Sequence, residues 1–291
     1  MRDGALRNLM ETRARRPEAI LEAARRRSRR PMIQPSGRLM LVAADHPARG
    51  VLAVRGRPDA MANRAGLLDR LLTALERPGV DGVLGTPDVL EDLLLLGALE
   101  DKVVIGSMNR GGVPETVFEM DDRFTAYDAA AIEEMGFNAG KMLLRIDPTD
   151  AATGSTLAGC ADAVSALADR RLTALVEPFW VRRGPDGRAV NDLRPEAMMR
   201  ALAIAQGLGR TSAYTWLKVP VVDHMEAVME ASTLPSLLLG GDPPGTPDET
   251  YASWEKALRL PTVRGLVVGR SLLYPPDDDV AAAVDTAVGL L

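Results

Sequence analysis

Three ionisable side chains stand in runs that are otherwise almost wholly apolar. Lys218 lies in Trp-Leu-Lys-Val-Pro-Val-Val, Lys141 in Ala-Gly-Lys-Met-Leu-Leu-Arg-Ile-Asp, and Glu177 in Leu-Val-Glu-Pro. A lysine in such a run is poorly solvated. Desolvation penalises the ammonium and favours the free amine, which is the form that attacks a carbonyl. A second lysine nearby adds to that effect, so Lys141 would help to make Lys218 a nucleophile. Glu177 would shuttle protons to and from a carbinolamine, provided its surroundings lift its pKa toward neutrality. A static Glu177–Lys141 ion pair fits the same residues. Asp45 closes another apolar run, Val-Ala-Ala-Asp-His-Pro, where a carboxylate would orient the lysines or bind a hydroxyl. His46, beside it, reads as a loop residue rather than an acid/base group.

A second constellation is built for an anion. Gly240-Gly241 follows one Leu-rich run and Gly269-Arg270 follows another. Glycine lets phosphate approach backbone N–H groups, and an arginine fork matches its geometry. Arg145, on the same run as Lys141, is a further candidate for the phosphate.

These residues need a scaffold that gathers run ends at one place. After Gly37, short β-branched or Leu-rich runs alternate with stretches of helical period. The strands are predicted at 39–44, 82–84, 103–107, 140–146, 172–177, 215–219, 236–240 and 265–269. Helices are expected at 59–77, 87–96, 125–135, 155–170, 194–207, 224–231, 247–258 and 279–290. Eight βα units predict a (β/α)8 TIM barrel over 37–291, whose chemistry sits at the C-terminal ends of its strands. Those ends carry Asp45, Thr86, Asn109, Arg110, Lys141, Arg145, Asp147, Glu177, Lys218, Gly240, Gly241, Asp242, Gly269 and Arg270. Residues 1–36 form an N-terminal helical extension. One helix is expected from Pro17, with Arg25, Arg26, Arg27, Arg29 and Arg30 as a solvated face that covers the barrel bottom or a neighbouring subunit.

Composition limits the rest. With 291 residues and 46% apolar content the chain can bury a large core without staples. Its formal charge of −5 argues against nucleic acid. One cysteine excludes an internal disulfide and a Cys-based zinc site, and two histidines are too few for a zinc-dependent aldolase. No apolar run is long enough to span a membrane. The expected location is cytoplasmic, and the expected partners are a small phosphorylated sugar or keto-acid and further copies of the chain. No cofactor is called for beyond a covalent Schiff base on Lys218. Two rivals stay open: a metal-dependent lyase or isomerase using Asp45, Asp147 and Glu177, and a non-catalytic sugar-phosphate-binding protein.

At these strands the chain resembles the class I aldolases of the deoxyribose-phosphate and tagatose-1,6-bisphosphate aldolase superfamily. Gly140 to Asp147 is similar to that group's strand-4 lysine motif, Val176-Glu177-Pro178 to its strand-5 glutamate, and Leu217-Lys218-Val219-Pro220 to its Schiff-base segment. Gly265 to Arg270 resembles its strand-8 phosphate segment, and Asp45 falls where the family places an aspartate. The chain also resembles the actinobacterial barrel proteins of inositol-catabolism clusters. The resemblance implies retro-aldol cleavage of a phosphorylated keto-sugar or keto-acid: a tagatose- or fructose-bisphosphate type, or a deoxy-keto-gluconate phosphate giving dihydroxyacetone phosphate and malonate semialdehyde. Deoxyribose-phosphate aldolases carry a second lysine on strand 7, where this chain has Leu-Leu-Leu-Gly-Gly-Asp. The Asp-His-Pro turn and the long loop 180–193, read as a lid, also depart from the pattern.

Overall fold

In the computed structural model, residues 3–241 and 246–291 are described; Asp242 lies outside them. Among them are nine strands: β1 (Leu39–Ala43), β2 (Gly82–Gly85), β3 (Val103–Ser107), β4 (Ala139–Ile146), β5 (Thr173–Arg183), β6 (Ala189–Asn191), β7 (Thr215–Pro220), β8 (Ser236–Leu239) and β9 (Val263–Val268). Eight of them pair in parallel around a ring, in the order β1-β2-β3-β4-β5-β7-β8-β9 and back to β1. This is the closed (β/α)8 barrel that the eight runs predicted, wrapped by helices.

The alternation of side chains along each strand divides the core in two. Leu39, Leu41, Ile105, Ala139, Leu175 and Leu237 fill the barrel interior, with Trp216 partly buried against them. Met40, Val42, Val104, Met142, Val176 and Leu217 face outward under the helices. Because the period is two, Ser107, Lys141, Glu177 and Lys218 continue the inward rows above that interior. Lys141 lies beside Ser107 on β3 and Leu175 on β5, while Glu177 lies beside Leu143.

Two expectations change. The fifth barrel strand overshoots its expected end at Glu177 and runs to Arg183. It turns at Gly187 (φ 79°) and pairs antiparallel with β6, Val181 opposite Asn191. The long loop is therefore a β-hairpin arm, because Trp180–Arg183 and Ala189–Asn191 satisfy each other's backbone groups.

The extension holds two helices rather than one, α1 (Asp3–Arg15) and α2 (Ala19–Arg26), separated at Pro17. The arginine cluster also divides. Arg25, Arg26 and Arg29 are exposed, but Arg27 is buried and donates to the carbonyls of Leu99, Lys102 and Gly136 at 3.3, 3.2 and 2.6 Å. Arg30 pairs with Asp81 at 2.9 Å, and Arg38 donates to Leu258 O and Val263 O. These acceptors sit at or just before the strand starts, and Met32 packs on the interior cluster. The segment closes the bottom of the barrel.

Candidate functional site

The opposite end is open. A cavity of about 530 Å³ is lined by Asp45, Lys141, Glu177 and Lys218, and by Gly240, Gly241, Gly269 and Arg270. The structure thus gathers both constellations read from the sequence into one pocket, with Arg145 on its wall. Residues 189–191 of the hairpin arm overhang it.

Glu177 bridges the two lysines. One carboxylate oxygen is 2.9 Å from Lys218 Nζ, and the other pairs with Lys141 Nζ. Lys141 Nζ also donates to Asp45 Oδ2 at 3.1 Å. All four side chains are almost fully buried. Asp45 is held further by the Ser107 hydroxyl at 3.2 Å and by Arg110, whose Nη2 lies 3.2 Å from the same oxygen. Ser107 had no signal in the sequence beyond its place on an inward row. Arg110 stood among the strand-end residues without a role.

Burial and charge act against each other here. Burial would raise Glu177, but the ammoniums of Lys141 and Lys218 outweigh it and hold the carboxyl at about 2. The lift toward neutrality on which the shuttle role was conditional is not found: Glu177 is a carboxylate because it sits between two cations, and the Glu177–Lys141 ion pair is present. Burial also works to raise Asp45, yet Arg110, Lys141 and Lys218 keep it well below the carboxylate range. Burial, reinforced by Arg110, lowers Lys141 to about 8 against the pull of Asp45 and Glu177. His46 lines the pocket too, and burial brings it down to about 3, so its imidazole is neutral at physiological pH.

Around the rim the candidates divide by partner. Gly240 and Gly269 are crowded: a Cβ would meet Val268 Cγ1 at 2.5 Å in the first and Ala43 O at 2.4 Å in the second. Gly241 sits at φ 60°, where a Cβ would touch only Leu239 Cδ1 at 3.9 Å, and its carbonyl accepts from Ser271 Oγ at 3.3 Å, tying the two loops together. Arg145 is largely engaged; its Nε and Nη2 donate to Asp122 at 2.7 and 2.9 Å, and Nη2 also to Glu119 O.

Three strand-end residues serve the scaffold. Asn109 exchanges hydrogen bonds with Leu143 N and O, and Thr86 binds Asp88. Asp147 is tied to Thr149 and Arg183 and does not line the cavity, so Asp45, Asp147 and Glu177 do not converge as a magnesium site would require. Among the described residues no group of three or more His, Cys, Asp or Glu could hold a metal ion, and no helix is long and apolar enough to cross a membrane.

Residues 37–288 match a family model described as Cgl0159-like. Cgl0159 from Corynebacterium glutamicum is 52% identical, with a TM-score of 0.97 over 100% of this chain and 97% of that one. An archaeal fructose 1,6-bisphosphate aldolase superposes with a TM-score of 0.65 at 20% identity, over 93% of this chain and 98% of its own. A fructose-bisphosphate aldolase from Slackia heliotrinireducens gives 0.62 at 15%, over 87% and 85%. At such identities the aldolases share the fold. No curated protein matches.

Proposed function

The chain belongs to the Cgl0159-like family, and from the pocket its barrel builds we propose that it is a class I aldolase, a carbon–carbon lyase acting through a Schiff base on Lys218. The observation that carries the reading is the buried chain Asp45–Lys141–Glu177–Lys218, each link an ion pair inside the barrel mouth. Solved structures with this fold include a Schiff-base-forming fructose-1,6-bisphosphate aldolase, which supports the reading.

Lys218 passes its ammonium proton to Glu177, 2.9 Å away, and the amine so freed adds to the substrate's keto carbon. Glu177 returns that proton to the carbinolamine hydroxyl, which leaves as water, and an iminium remains. Glu177 accepts the proton of the hydroxyl on the far side of the scissile bond. The C–C bond then breaks, the aldehyde departs, and the electron pair enters the iminium to give an enamine. Protonation of the enamine carbon and hydrolysis release the second product and restore Lys218. Lys141 and Asp45 fix Glu177 and substrate hydroxyls. While Lys218 is a neutral carbinolamine, one of the two cations holding Glu177 down is gone, so the carboxyl then carries a proton more readily, as delivery of a proton to the departing hydroxyl requires.

The loops at Gly240-Gly241 and Gly269-Arg270 hold the phosphate of a keto-sugar or keto-acid. Deoxy-keto-gluconate phosphate, in the context of inositol breakdown, and the ketose bisphosphates are the substrates to assay first.

Borohydride reduction in the presence of dihydroxyacetone phosphate tests the reading. A covalent mass gain is expected on the peptide that carries Lys218, and none in Lys218→Met. An unmodified wild-type peptide, or equal trapping in Lys218→Met, overturns it. Retention of activity in chelator separates it from metal-assisted chemistry.

A further inference from the structure

Besides its lysines the pocket carries a second group of cations, the guanidiniums of Arg49, Arg110 and Arg145. The ring order sets where they stand. Gly240-Gly241 follows β8 and Gly269-Arg270 follows β9; on the eight-stranded ring, β3 and β4 lie diametrically across from these two. Arg110 comes just after β3 and Arg145 stands on β4. Arg49 ends the short turn Pro47–Arg49 after β1, and its side chain reaches toward the loop after β3, donating Nε to Gly112 O at 2.7 Å. All three line the cavity, and around the ring β5 with Glu177 and β7 with Lys218 lie between β4 and the glycine loop after β8.

The charges on this wall do not balance. Asp122 accepts two of the three hydrogen bonds of Arg145 and has Arg49 Nη2 3.9 Å away, while Asp45 takes both Arg110 and Lys141. Four cations share two carboxylates. The third carboxylate, Glu177, is itself divided between Lys141 and Lys218. Of the three guanidiniums, Arg145 is held by Asp122 and Glu119 O, and Arg110 by Asn109 O and Asp45. Arg110 Nη2 and Arg49 Nη2 are both buried without a hydrogen-bond acceptor, but Arg110 Nη2 lies 3.2 Å from Asp45 Oδ2, whereas the carboxylate nearest Arg49 Nη2 is 3.9 Å away and already holds Arg145. That state costs stability unless something in the cavity supplies an oxygen. Burial and the neighbouring Arg145 together lower Arg49 to about 10, the mark of a cation short of a counter-charge.

We propose that Arg49, with Arg145 and Arg110 behind it, is an anion subsite across the pocket from the glycine loops, and that it takes an oxyanion at the far end of the substrate. The inference rests on the aldolase reading and narrows it. The substrate carries an anionic group at both ends, with the keto carbon between them at Lys218. Carboxylate and phosphate share the chemistry a guanidinium recognises, and the probes below distinguish them.

The experiment compares wild type with Arg49→Gln and Arg49→Lys. Calorimetry measures binding of fructose 1,6-bisphosphate (two phosphates), 6-phosphogluconate (a phosphate and a carboxylate) and fructose 6-phosphate (one phosphate). Borohydride trapping measures half-saturation by dihydroxyacetone phosphate at Lys218. Arg49→Gln is expected to weaken at least one two-anion probe by about tenfold or more, with fructose 6-phosphate and dihydroxyacetone phosphate unchanged within about twofold. Loss confined to fructose 1,6-bisphosphate identifies a phosphate subsite; loss confined to 6-phosphogluconate identifies a carboxylate subsite. Equal weakening of all probes, or of none, overturns the proposal. Arg49→Lys keeps the charge without the fork and gives the same comparison if Arg49→Gln does not fold. Failure of dihydroxyacetone phosphate to trap wild type would sink the aldolase reading alone, since calorimetry reads the subsite without chemistry.

Discussion

The two mouths of the barrel both bury arginines, and they do opposite things with them. At the bottom, Arg27 and Arg38 direct their terminal nitrogens to backbone carbonyls at or before the starts of strands, and the chain they belong to closes the opening. At the top, Arg49, Arg110 and Arg145 meet carboxylates that are too few for them, around a cavity of about 530 Å³. Residue type is the same at both ends. What separates structural from functional charge is the partner: fixed carbonyls in a sealed contact, or shared carboxylates beside empty space.

Substitutions that affect one mouth alone test this contrast. The largest effect belongs to the top. Lys218→Met is expected to lower kcat for aldol cleavage by roughly a thousandfold or more, because the nucleophile is gone. Its melting temperature should stay within about 4 °C of the parent, since Glu177 keeps Lys141 and an apolar side chain replaces a buried ion. A collapse in melting temperature would mean that the upper cluster is structural after all.

Acid is the next probe. The Glu177 carboxyl sits at about 2, below its ordinary 4.5, so its ionisation stabilises the fold above pH 4.5 and that contribution is lost as pH falls toward 2. Urea unfolding at pH 6 and pH 3 should show a loss whose Glu177 share is on the order of 2–3 kcal/mol, and that share should be absent in Glu177→Gln.

At the bottom, Arg27→Leu strands three carbonyls and is expected to cost about 2–3 kcal/mol in urea unfolding while kcat changes by less than about twofold. A fall in kcat at unchanged stability would erase the distinction between the mouths. The smallest effect is expected at Arg15, whose pair with Glu11 on α1 is exposed. Arg15→Ala should shift stability by less than about 0.5 kcal/mol, and its ionic-strength dependence should be correspondingly slight.

Much of this was legible in the residues themselves. Eight apolar runs at βα spacing specify a barrel because parallel strands are buried on both faces and leave the same signature each time. Lys141, Glu177 and Lys218 stood out because a charge in such a run has no ordinary reason to be there. Arg49 did not stand out: it lies in a polar turn, Pro-Ala-Arg-Gly, and only the fold brings its head to Asp122. The depressed Glu177 was misread because its pKa depends on which two cations sit within about 3 Å, a distance no single run encodes. The hairpin arm was missed because Gly-Pro-Asp-Gly reads equally well as a turn in a loop. The arginines of the extension looked alike in sequence, and tertiary contact sorted Arg27 and Arg30 from Arg25, Arg26 and Arg29.

The bottom closure has a consequence for how the molecule is made and unmade. Arg27 reaches Leu99 O and Gly136 O across 72 and 109 residues, and Arg38 reaches Leu258 O and Val263 O across 220 and 225. Contacts so distant along the chain close the largest loops, and the entropy of doing so places them late in the order of assembly. Interactions formed after the folding barrier leave the folding rate nearly untouched and slow unfolding instead. The segment from Arg27 to Arg38 thus acts as a latch: it governs how long a finished barrel lasts more than how fast one forms.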